Sequence, residues 1–293
     1  MISLTNPTPK KTLKFHINEN FFICGDAFGL DQNPSVILLH GGGQTRHSWG
    51  ETATEFAKNG WYAIALDARG HGDSSWSAEG HYNYDNFVAD LQAVIKQLNT
   101  QPALIGASMG GITSLILAGE IDTEIAKAIV LVDIAPKTEQ KGIERIFAFM
   151  SAHNEGFESI EHAAEAVAKY LPHRPKPSEN SRIEKNLRLK PDGKYYWHWD
   201  PKMLENWKKI TPDIKIEMEE RQFNAARNLN IPTLIVRGGI SDVVSEKVMA
   251  EFLDQVPHAE SITVADASHM VAGDSNHAFT KAVLNFLDKE LKR

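Results

Sequence analysis

Cysteine is almost absent from this sequence of 293 residues, in which Cys24 is the single example. One cysteine excludes an intramolecular disulfide and a cysteine-rich zinc or iron–sulfur site, and it favours a reducing compartment. The N-terminal segment lacks the apolar run and the small-residue cleavage site of a signal peptide. We therefore expect a cytoplasmic protein.

Long hydrophobic runs and basic blocks are also missing. No stretch approaches the roughly 18 consecutive apolar residues of a membrane-spanning helix. The 31 Lys and Arg residues are outnumbered by 38 Asp and Glu residues, which gives a net charge of −7. A mildly acidic chain without basic clusters has no electrostatic footprint for phosphate backbones. We expect neither a membrane nor a nucleic-acid partner, and the oligomeric state stays open.

What the sequence does contain is an ordinary globular composition, with 42% hydrophobic and 24% charged residues. A chain of this length buries about three quarters of the surface that it exposes when unfolded. Such a core is stable without disulfides or a structural metal. We expect one domain that carries an insertion.

Strand-like and helix-like segments alternate through the first part of the chain. Continuous apolar runs at Val36–Leu39 and Ala128–Val132 are typical of strands buried on both faces of a parallel sheet. Between them, Asn86–Leu98 has apolar residues at helical spacing. Two further β-like runs, Thr12–Ile17 and Phe21–Gly25, predict an opening hairpin. The alternation predicts an α/β sheet with crossover helices.

The rhythm changes at about Pro136, where a segment rich in charge and proline begins. It shows no strand–helix pair until the apolar run Thr233–Val236 resumes the earlier pattern. We interpret residues 136–220 as a helical cap inserted into the same domain, whose core is formed by residues 1–135 and 221–293.

The most informative motif is the GxSxG sequence at residues 106–110, which directly follows an apolar strand and directly precedes a helix. A sharp strand-to-helix turn forces the residue at its apex into a strained conformation. The neighbours two positions away must then lack a Cβ atom, as Gly106 and Gly110 do. This context predicts that Ser108 is a catalytic nucleophile.

A serine hydroxyl needs a base to remove its proton, and His269 is the best placed of twelve histidines. It lies in the loop after the last predicted strand, Ser261–Val264. Catalytic groups of open α/β sheets gather at the carboxyl ends of the strands. We predict that His269 is the general base.

The third member of a triad is a carboxylate that orients the imidazole. Asp242 follows the strand Thr233–Val236 and precedes His269 by 27 residues. Asp133 ends the preceding core strand and could reach the same side. We favour Asp242 and keep Asp133 as the alternative acid.

An acyl-transfer site also requires amides that bind the developing oxyanion. Met109, the residue after the nucleophile, supplies one amide. The other is expected from the glycine run after Val36–Leu39, where we choose Gly42 and keep Gly43 as the alternative. A phosphate-binding loop is disfavoured because the Lys and Ser/Thr of a P-loop are missing.

Taken together, the motifs resemble the α/β-hydrolase superfamily over essentially the whole chain. Five motifs stand in the family's order, namely HGGG (40–43), DARGHGDS (67–74), GASMGG (106–111), GGISD (238–242) and ASH (267–269). The pattern is most similar to the branch of haloperoxidase-like esterases, enol-lactonases and carbon–carbon bond hydrolases. The resemblance implies a mostly parallel eight-stranded sheet flanked by helices, with an inserted helical cap. It also implies the triad and oxyanion roles assigned above, and a structural role for the loop of residues 67–74.

Departures from the family narrow the activity. Ser108 stands where relatives that dehalogenate alkanes or open epoxides carry aspartate, and where dienelactone hydrolases carry cysteine. Ala107 stands where carbon–carbon hydrolases often carry asparagine. Carbon–carbon cleavage or perhydrolysis by the same triad stays an alternative, as does a non-catalytic ligand-binding protein on the same scaffold.

The favoured function is hydrolysis of small to medium carboxylic esters or lactones through an acyl-serine intermediate. Neither a metal nor an organic cofactor is implied, since the triad and two amides suffice. Aromatic side chains are the candidates for the substrate pocket, and packing of the cap onto the core is their alternative role. They are Trp49, Phe147, Trp197, Trp199 and Trp207.

Overall fold

The computed structural model describes residues 10–122, 124–172, 181–271 and 276–291. Eight of its strands form one sheet and two form a small separate sheet. The strands of the large sheet are β1 (Lys10–Asn18), β2 (Phe21–Phe28), β3 (Ser35–Leu39), β4 (Tyr62–Leu66), β5 (Ala103–Ala107), β6 (Ala128–Val132), β9 (Thr233–Gly238) and β10 (Glu260–Val264). Those of the small sheet are β7 (Leu187–Leu189) and β8 (Tyr195–Trp197).

The large sheet has the strand order β1-β2-β4-β3-β5-β6-β9-β10. The β1–β2 and β2–β4 pairs are antiparallel, and every other pair is parallel. This arrangement confirms the predicted mostly parallel sheet of eight strands. The hairpin of β1 and β2 lies at one edge, and β10 lies at the other.

Helices connect the strands and form the segment inserted after β6. They are α1 (Gly50–Lys58), α2 (Tyr84–Leu98), α3 (Met109–Ile116), α4 (Gln140–Ser151), α5 (Ile160–Tyr170), α6 (Ser181–Glu184), α7 (Lys202–Lys208), α8 (Pro212–Arg227), α9 (Glu246–Gln255) and α10 (Asn276–Glu290). Side-chain caps start several of them; for example, Asn83 accepts a hydrogen bond from the Asn86 amide and Ser245 from the Val248 amide. None of the described helices has the length and apolar character that crossing a bilayer requires.

Both faces of the sheet are buried, as the continuous apolar runs predict. In β3, Ile37 and Leu39 join one core cluster. Val36 and Leu38 join a second cluster on the opposite face. Successive side chains of a strand point to opposite faces, so a strand covered by helices on both sides must be apolar at every position.

Parallel pairing aligns the carboxyl ends of the central strands at one edge of the sheet. In the register, Ala107 of β5 lies beside Val132 of β6, and Val132 lies beside Val236 of β9. Backbone hydrogen bonds continue one residue further, because the Asp133 amide donates to Val236 O at 2.7 Å. The loops that leave these strands therefore start side by side.

The segment between β6 and β9, here called the cap, contains α4 to α7, the start of α8 and the small sheet. The pairing of Leu187 with Trp197 and of Leu189 with Tyr195 is a β hairpin that the sequence did not predict. Helix α8 runs across the predicted boundary at residue 220. Its C-terminal part packs on the core so closely that a Cβ on Gly119 would lie 2.0 Å from Ala225 O.

Candidate active site

Ser108 stands at the apex of the turn between β5 and α3 with φ 48° and ψ −117°. This left-handed conformation is strained for a residue with a side chain, and such strain persists only where the surroundings enforce it. The Ser108 amide donates to Val132 O at 3.2 Å, and its carbonyl accepts from the Gly111 and Ile112 amides. The predicted strand-to-helix turn is therefore present.

Glycines on either side of Ser108 allow the turn to close. A Cβ on Gly106 would lie 2.4 Å from the carbonyl group of Gly110, and one on Gly110 would lie 2.6 Å from Leu39 O. These separations are far below any van der Waals contact, so a larger residue at either position would push β5, α3 and β3 apart.

His269 lies in the loop after β10 and is 9% exposed. Its Nδ1 lies 2.8 Å from Oδ2 of Asp133, which is fully buried. A carboxylate oxygen can only accept, so Nδ1 carries a proton, and in the neutral ring the lone pair is on Nε2. This is the tautomer that a general base requires.

The Asp133 carboxylate is held by two further donors, both from β9 and the loop that follows it. The Gly238 amide donates to Oδ1 at 2.8 Å, and the Ser241 hydroxyl donates to Oδ2. Asp133 has a positive φ of 50°. A charge buried this deeply requires several hydrogen bonds to offset its desolvation, and three donors supply them.

Asp242, the preferred acid of the sequence prediction, does not face His269. Its carboxylate is 37% exposed and forms an ion pair with Arg145 of α4, at 2.8 Å from Nε. The physical reason is that the backbone of Asp242 packs closely against α4, where a Cβ on Gly142 would lie 2.2 Å from Asp242 O. This contact places the Asp242 carboxylate beside Arg145 of the same helix. The structure therefore corrects the predicted pairing with His269 from Asp242 to the alternative, Asp133.

The amides of Gly42 and Met109 have no hydrogen-bond acceptor within the part of the chain that the structure describes. By contrast, the Gly43 amide donates to Nε2 of His71 at 3.2 Å, and the Gly41 amide donates to Oε1 of Gln44 at 3.1 Å. Of the two glycines considered for the oxyanion hole, only Gly42 has its N–H available.

Two histidines tie the glycine loop to its neighbours. Nε2 of His40 accepts from the Ala68 amide at 3.0 Å, which leaves the proton on Nδ1, 2.8 Å from Gly41 O. His71 likewise has its proton on Nδ1, which lies 3.1 Å from Arg69 O. Burial lowers the pKa of both rings, so each is neutral and serves as one donor and one acceptor.

Ser108 and His269 belong to the same edge of the sheet, although no hydrogen bond between their side chains occurs in the described ranges. The side chain of Gln44 links the glycine loop, which packs against Ser108, to the loop that carries His269. Its Oε1 holds Gly41, where a Cβ would lie 3.1 Å from Ser108 Cβ, and its Nε2 contacts Sδ of Met270.

The five aromatic residues predicted for the substrate pocket are divided between core and cap. Trp49 is 1% exposed, and its ring lies 5.9 Å from that of Phe279 in the core. This burial in the core corrects the prediction that Trp49 lines the substrate pocket. The other four lie in the cap, where Phe147 packs against Trp207 with ring centroids 4.2 Å apart, and Trp197 stacks on Trp199 at 4.9 Å. Trp197 and Trp199 share a buried cluster with Met109.

Cys24, Asp67 and Asp73 are the one group of potential metal ligands that come together within the described residues. Arg46 already supplies positive charge there, with its guanidinium bound to Asp67 and 2.8 Å from Asp73. Burial raises the pKa of the Cys24 thiol, and a protonated thiol is a poor ligand. The group is an ion-pair cluster built around arginine.

Sequence reasoning missed two residues that hold the site, namely Ser241 and Gln44. Ser241 stands in the GGISD motif next to the aspartate that attracted attention. Its hydroxyl also accepts from the Val243 and Val244 amides at 3.1 and 3.2 Å. A serine three residues after the end of a strand is a recognisable turn former, but its long-range partner cannot be identified from the sequence.

Comparisons with known proteins agree with the fold and the motifs. A family model described as alpha/beta hydrolase fold matches residues 34–275. Over 264 residues the chain is 28% identical to an esterase of Mycobacterium tuberculosis, which covers 87% of this chain and 83% of that protein. Over 251 residues it is 26% identical to a 3-hydroxybutyrate-oligomer hydrolase of Cupriavidus necator, which covers 83% and 85% respectively.

A solved structure shows the same likeness in three dimensions. The crystal structure of an E-2-(acetamidomethylene)succinate hydrolase matches with a TM-score of 0.81 and 22% identity, over 96% of this chain and 100% of that one. At this identity the match shows the fold alone. The resemblance inferred from the five motifs is confirmed, and the chain belongs to the alpha/beta hydrolase fold family.

Proposed function

We propose that this protein hydrolyses small to medium carboxylic esters or lactones through an acyl intermediate on Ser108. The observation that carries the proposal is the buried hydrogen bond that Nδ1 of His269 donates to Asp133, at the same sheet edge as the strained Ser108. The similarity to esterases supports hydrolase chemistry of this kind.

In the acylation step, Ser108 Oγ attacks the carbonyl carbon of the ester and its proton passes to Nε2 of His269. Asp133 orients the ring and stabilises the imidazolium that forms. The carbonyl oxygen becomes an oxyanion, which the amides of Gly42 and Met109 bind at the N-terminus of α3. Collapse of this tetrahedral intermediate breaks the bond to the alkoxy oxygen, and that oxygen takes the proton from Nε2.

Deacylation repeats the sequence with water as the nucleophile. His269 removes a proton from the water molecule, whose oxygen attacks the acyl carbon. Collapse of the second tetrahedral intermediate returns the proton to Ser108 Oγ and releases the carboxylic acid. Catalytic hydrogen bonds often tighten only when substrate is bound, so we expect the Ser108–His269 bond to form in the complex.

The acyl pocket is proposed to lie beneath the cap. Met150 of α4 supports this placement, since its Sδ would lie 3.6 Å from a Cβ on Gly42. We propose that the apolar wall of this pocket is lined by Phe147, Trp197, Trp199 and Trp207, which pack in pairs within the cap.

A fluorophosphonate probe tests the nucleophile directly. We expect the probe to add its mass to the peptide that contains Ser108. Ser108→Ala is expected to abolish both labelling and ester hydrolysis, whereas the exposed control Ser261→Ala retains both. Labelling that persists in Ser108→Ala would reject this nucleophile.

A substrate panel tests the reaction class. The panel contains p-nitrophenyl esters of increasing acyl length, lactones and ring-cleavage diketones, and a parallel assay with peroxide measures perhydrolysis. We expect turnover of esters or lactones at the highest kcat/KM. Turnover confined to diketones would establish the carbon–carbon hydrolase alternative, and binding without turnover or labelling would establish a non-catalytic protein.

A further inference from the structure

We propose that His198, a residue of the cap, is a positioning residue of the oxyanion hole that acts through the peptide of Gly43. This inference rests on the proposed function, because it takes the Gly42 amide as an oxyanion donor. The cap then has a second task besides covering the substrate, since it completes the geometry of the core site.

The hydrogen bonds of His198 define which ring nitrogen carries the proton. The Gly72 amide donates to Nδ1 at 2.9 Å. Nδ1 is therefore an acceptor, and the proton of the neutral ring is on Nε2. That nitrogen lies 3.4 Å from the carbonyl oxygen of Gly43. The side chain is fully buried, so water does not compete for either contact.

Gly43 is held from two sides by two histidines of different origin. Its N–H donates to Nε2 of the core residue His71, and its carbonyl accepts from His198 of the cap. Gly43 has φ +74°, a conformation that glycine adopts readily but that needs such contacts to stay fixed. Gly41 is held in turn by Gln44. With both neighbours fixed, the free N–H of Gly42 has a defined direction.

A second side chain of the cap packs on the same two glycines. A Cβ on Gly43 would lie 3.3 Å from both Cγ and Sδ of Met150, which is 2% exposed. The glycine loop therefore lies between core histidines on one side and the cap on the other. The packing of the cap on the core and the alignment of the Gly42 amide therefore depend on the same contacts.

Two substitutions at His198 separate its two hydrogen bonds. His198→Asn retains an acceptor near Nδ1 for the Gly72 amide but has no donor at the position of Nε2. His198→Gln retains a donor near Nε2 instead. The matched control is His162→Asn, which changes an exposed histidine of the cap. For each variant, kcat and KM are measured on an ester without a product burst, per active site titrated with the fluorophosphonate probe.

We expect His198→Asn to lower kcat about ten-fold with KM within two-fold of wild type. This loss of kcat is smaller than the roughly 10²- to 10³-fold loss caused by removing a whole oxyanion donor, because the Gly42 amide itself is retained. His198→Gln is expected to restore kcat to within about three-fold of wild type, since it keeps the donor toward Gly43. A role in stability alone predicts lower unfolding temperatures with unchanged kcat per active site.

Unchanged kcat in His198→Asn, or equal losses in the Asn and Gln variants, would overturn the proposal. If neither variant folds, Met150→Ala and Met150→Leu test the same clamp from α4, with a loss of kcat expected for alanine and little for leucine. Equal kcat in these two would also overturn it. Failure of the proposed function is a separate result, because it appears as an inactive wild-type protein or an active Ser108→Ala variant.

Discussion

The loops that follow β6 and β9 start side by side at the same sheet edge, and each carries an aspartate that precedes His269 in the chain. Asp133, after β6, is fully buried and accepts from Gly238, Ser241 and His269. Asp242, after β9, is 37% exposed and pairs with Arg145 of the cap. One carboxylate faces a histidine inside the protein, and the other faces an arginine near solvent.

This difference shows what selects the acid of the proposed triad. A buried carboxylate is costly unless donors surround it, and once surrounded it is rigid. An exposed carboxylate finds a cation at little cost, and such a pair contributes little. Chain order is the same for both residues, so the density of donors at the sheet edge makes the distinction.

The largest expected effect is the loss of activity in Asp133→Asn. The amide cannot accept the Nδ1 proton in the way that a carboxylate does, so the ring is held in the wrong tautomer. We expect kcat to fall about 10⁴-fold, while Asp242→Asn stays within a few-fold of wild type. Steady-state kinetics with one ester measures both. Near-normal activity of Asp133→Asn together with an inactive Asp242→Asn would reverse the comparison.

The next effect concerns the hydroxyl that joins the two loops. Ser241→Ala removes a donor to the Asp133 carboxylate and leaves the Val243 and Val244 amides without that acceptor. We expect the free energy of unfolding to fall by about 1.5–3 kcal/mol, as for other hydrogen bonds to charged groups. Urea denaturation measures the change. Ser261→Ala, at an exposed position of β10, is the control. An equal loss of stability in this control would contradict a specific contribution of the Ser241 hydroxyl.

The next prediction concerns the pH dependence of stability, to which buried histidines bonded to backbone groups contribute. Burial lowers the pKa of His71 and of His198 well below 6.5. Below pH 6.5 the unfolded chain therefore binds more protons than the folded chain, and stability decreases as the pH falls toward the folded-state pKa values. Each such histidine contributes a slope of about 1.4 kcal/mol per pH unit in this window.

Urea denaturation at several pH values checks this slope. We expect His198→Gln to have a slope smaller than that of wild type by about 1.4 kcal/mol per pH unit, which corresponds to one proton. Identical slopes in wild type and His198→Gln would show that the ring is protonated in the folded state.

The smallest effect on stability and activity is expected for the exposed ion pair between Arg145 and Asp242. Arg145→Gln breaks the ion pair with Asp242, in which both side chains are more than one third exposed. Solvent screening limits such a pair to about 0–1 kcal/mol. We expect the free energy of unfolding to change by less than about 1 kcal/mol and kcat to stay within two-fold of wild type. A larger loss of kcat would show that this pair contributes to the site after all.

Much of the fold could be predicted because its signals are local. Apolar runs of four or five residues, such as Val36–Leu39, predicted strands buried on both faces. The glycines around Ser108 predicted the turn, and the structure shows the close approaches that exclude a Cβ. The hairpin of β7 and β8 could not be predicted, because the aromatic run at Tyr195–Trp199 is compatible with either a helix or a strand.

The details of the site were less accessible. Gly42 and Gly43 are equivalent in sequence, and only the bond from Gly43 to His71 separates them. Trp49 follows a loop near the sheet edge, yet its side chain turns into the core against Phe279. In both cases the direction of a single group is the deciding quantity, and periodicity carries no information about it.

The sequence by itself determined the alternation of strands and helices, the turn at Ser108 and the edge at which the functional loops meet. These features follow from side-chain periodicity and from glycine at a few positions, which act over short stretches of chain. Tertiary structure alone decided that Asp133 faces His269 across 136 residues and that the Gly72 amide meets His198 across 126. Such pairings depend on side-chain direction and burial, which exist only after the loops have packed together.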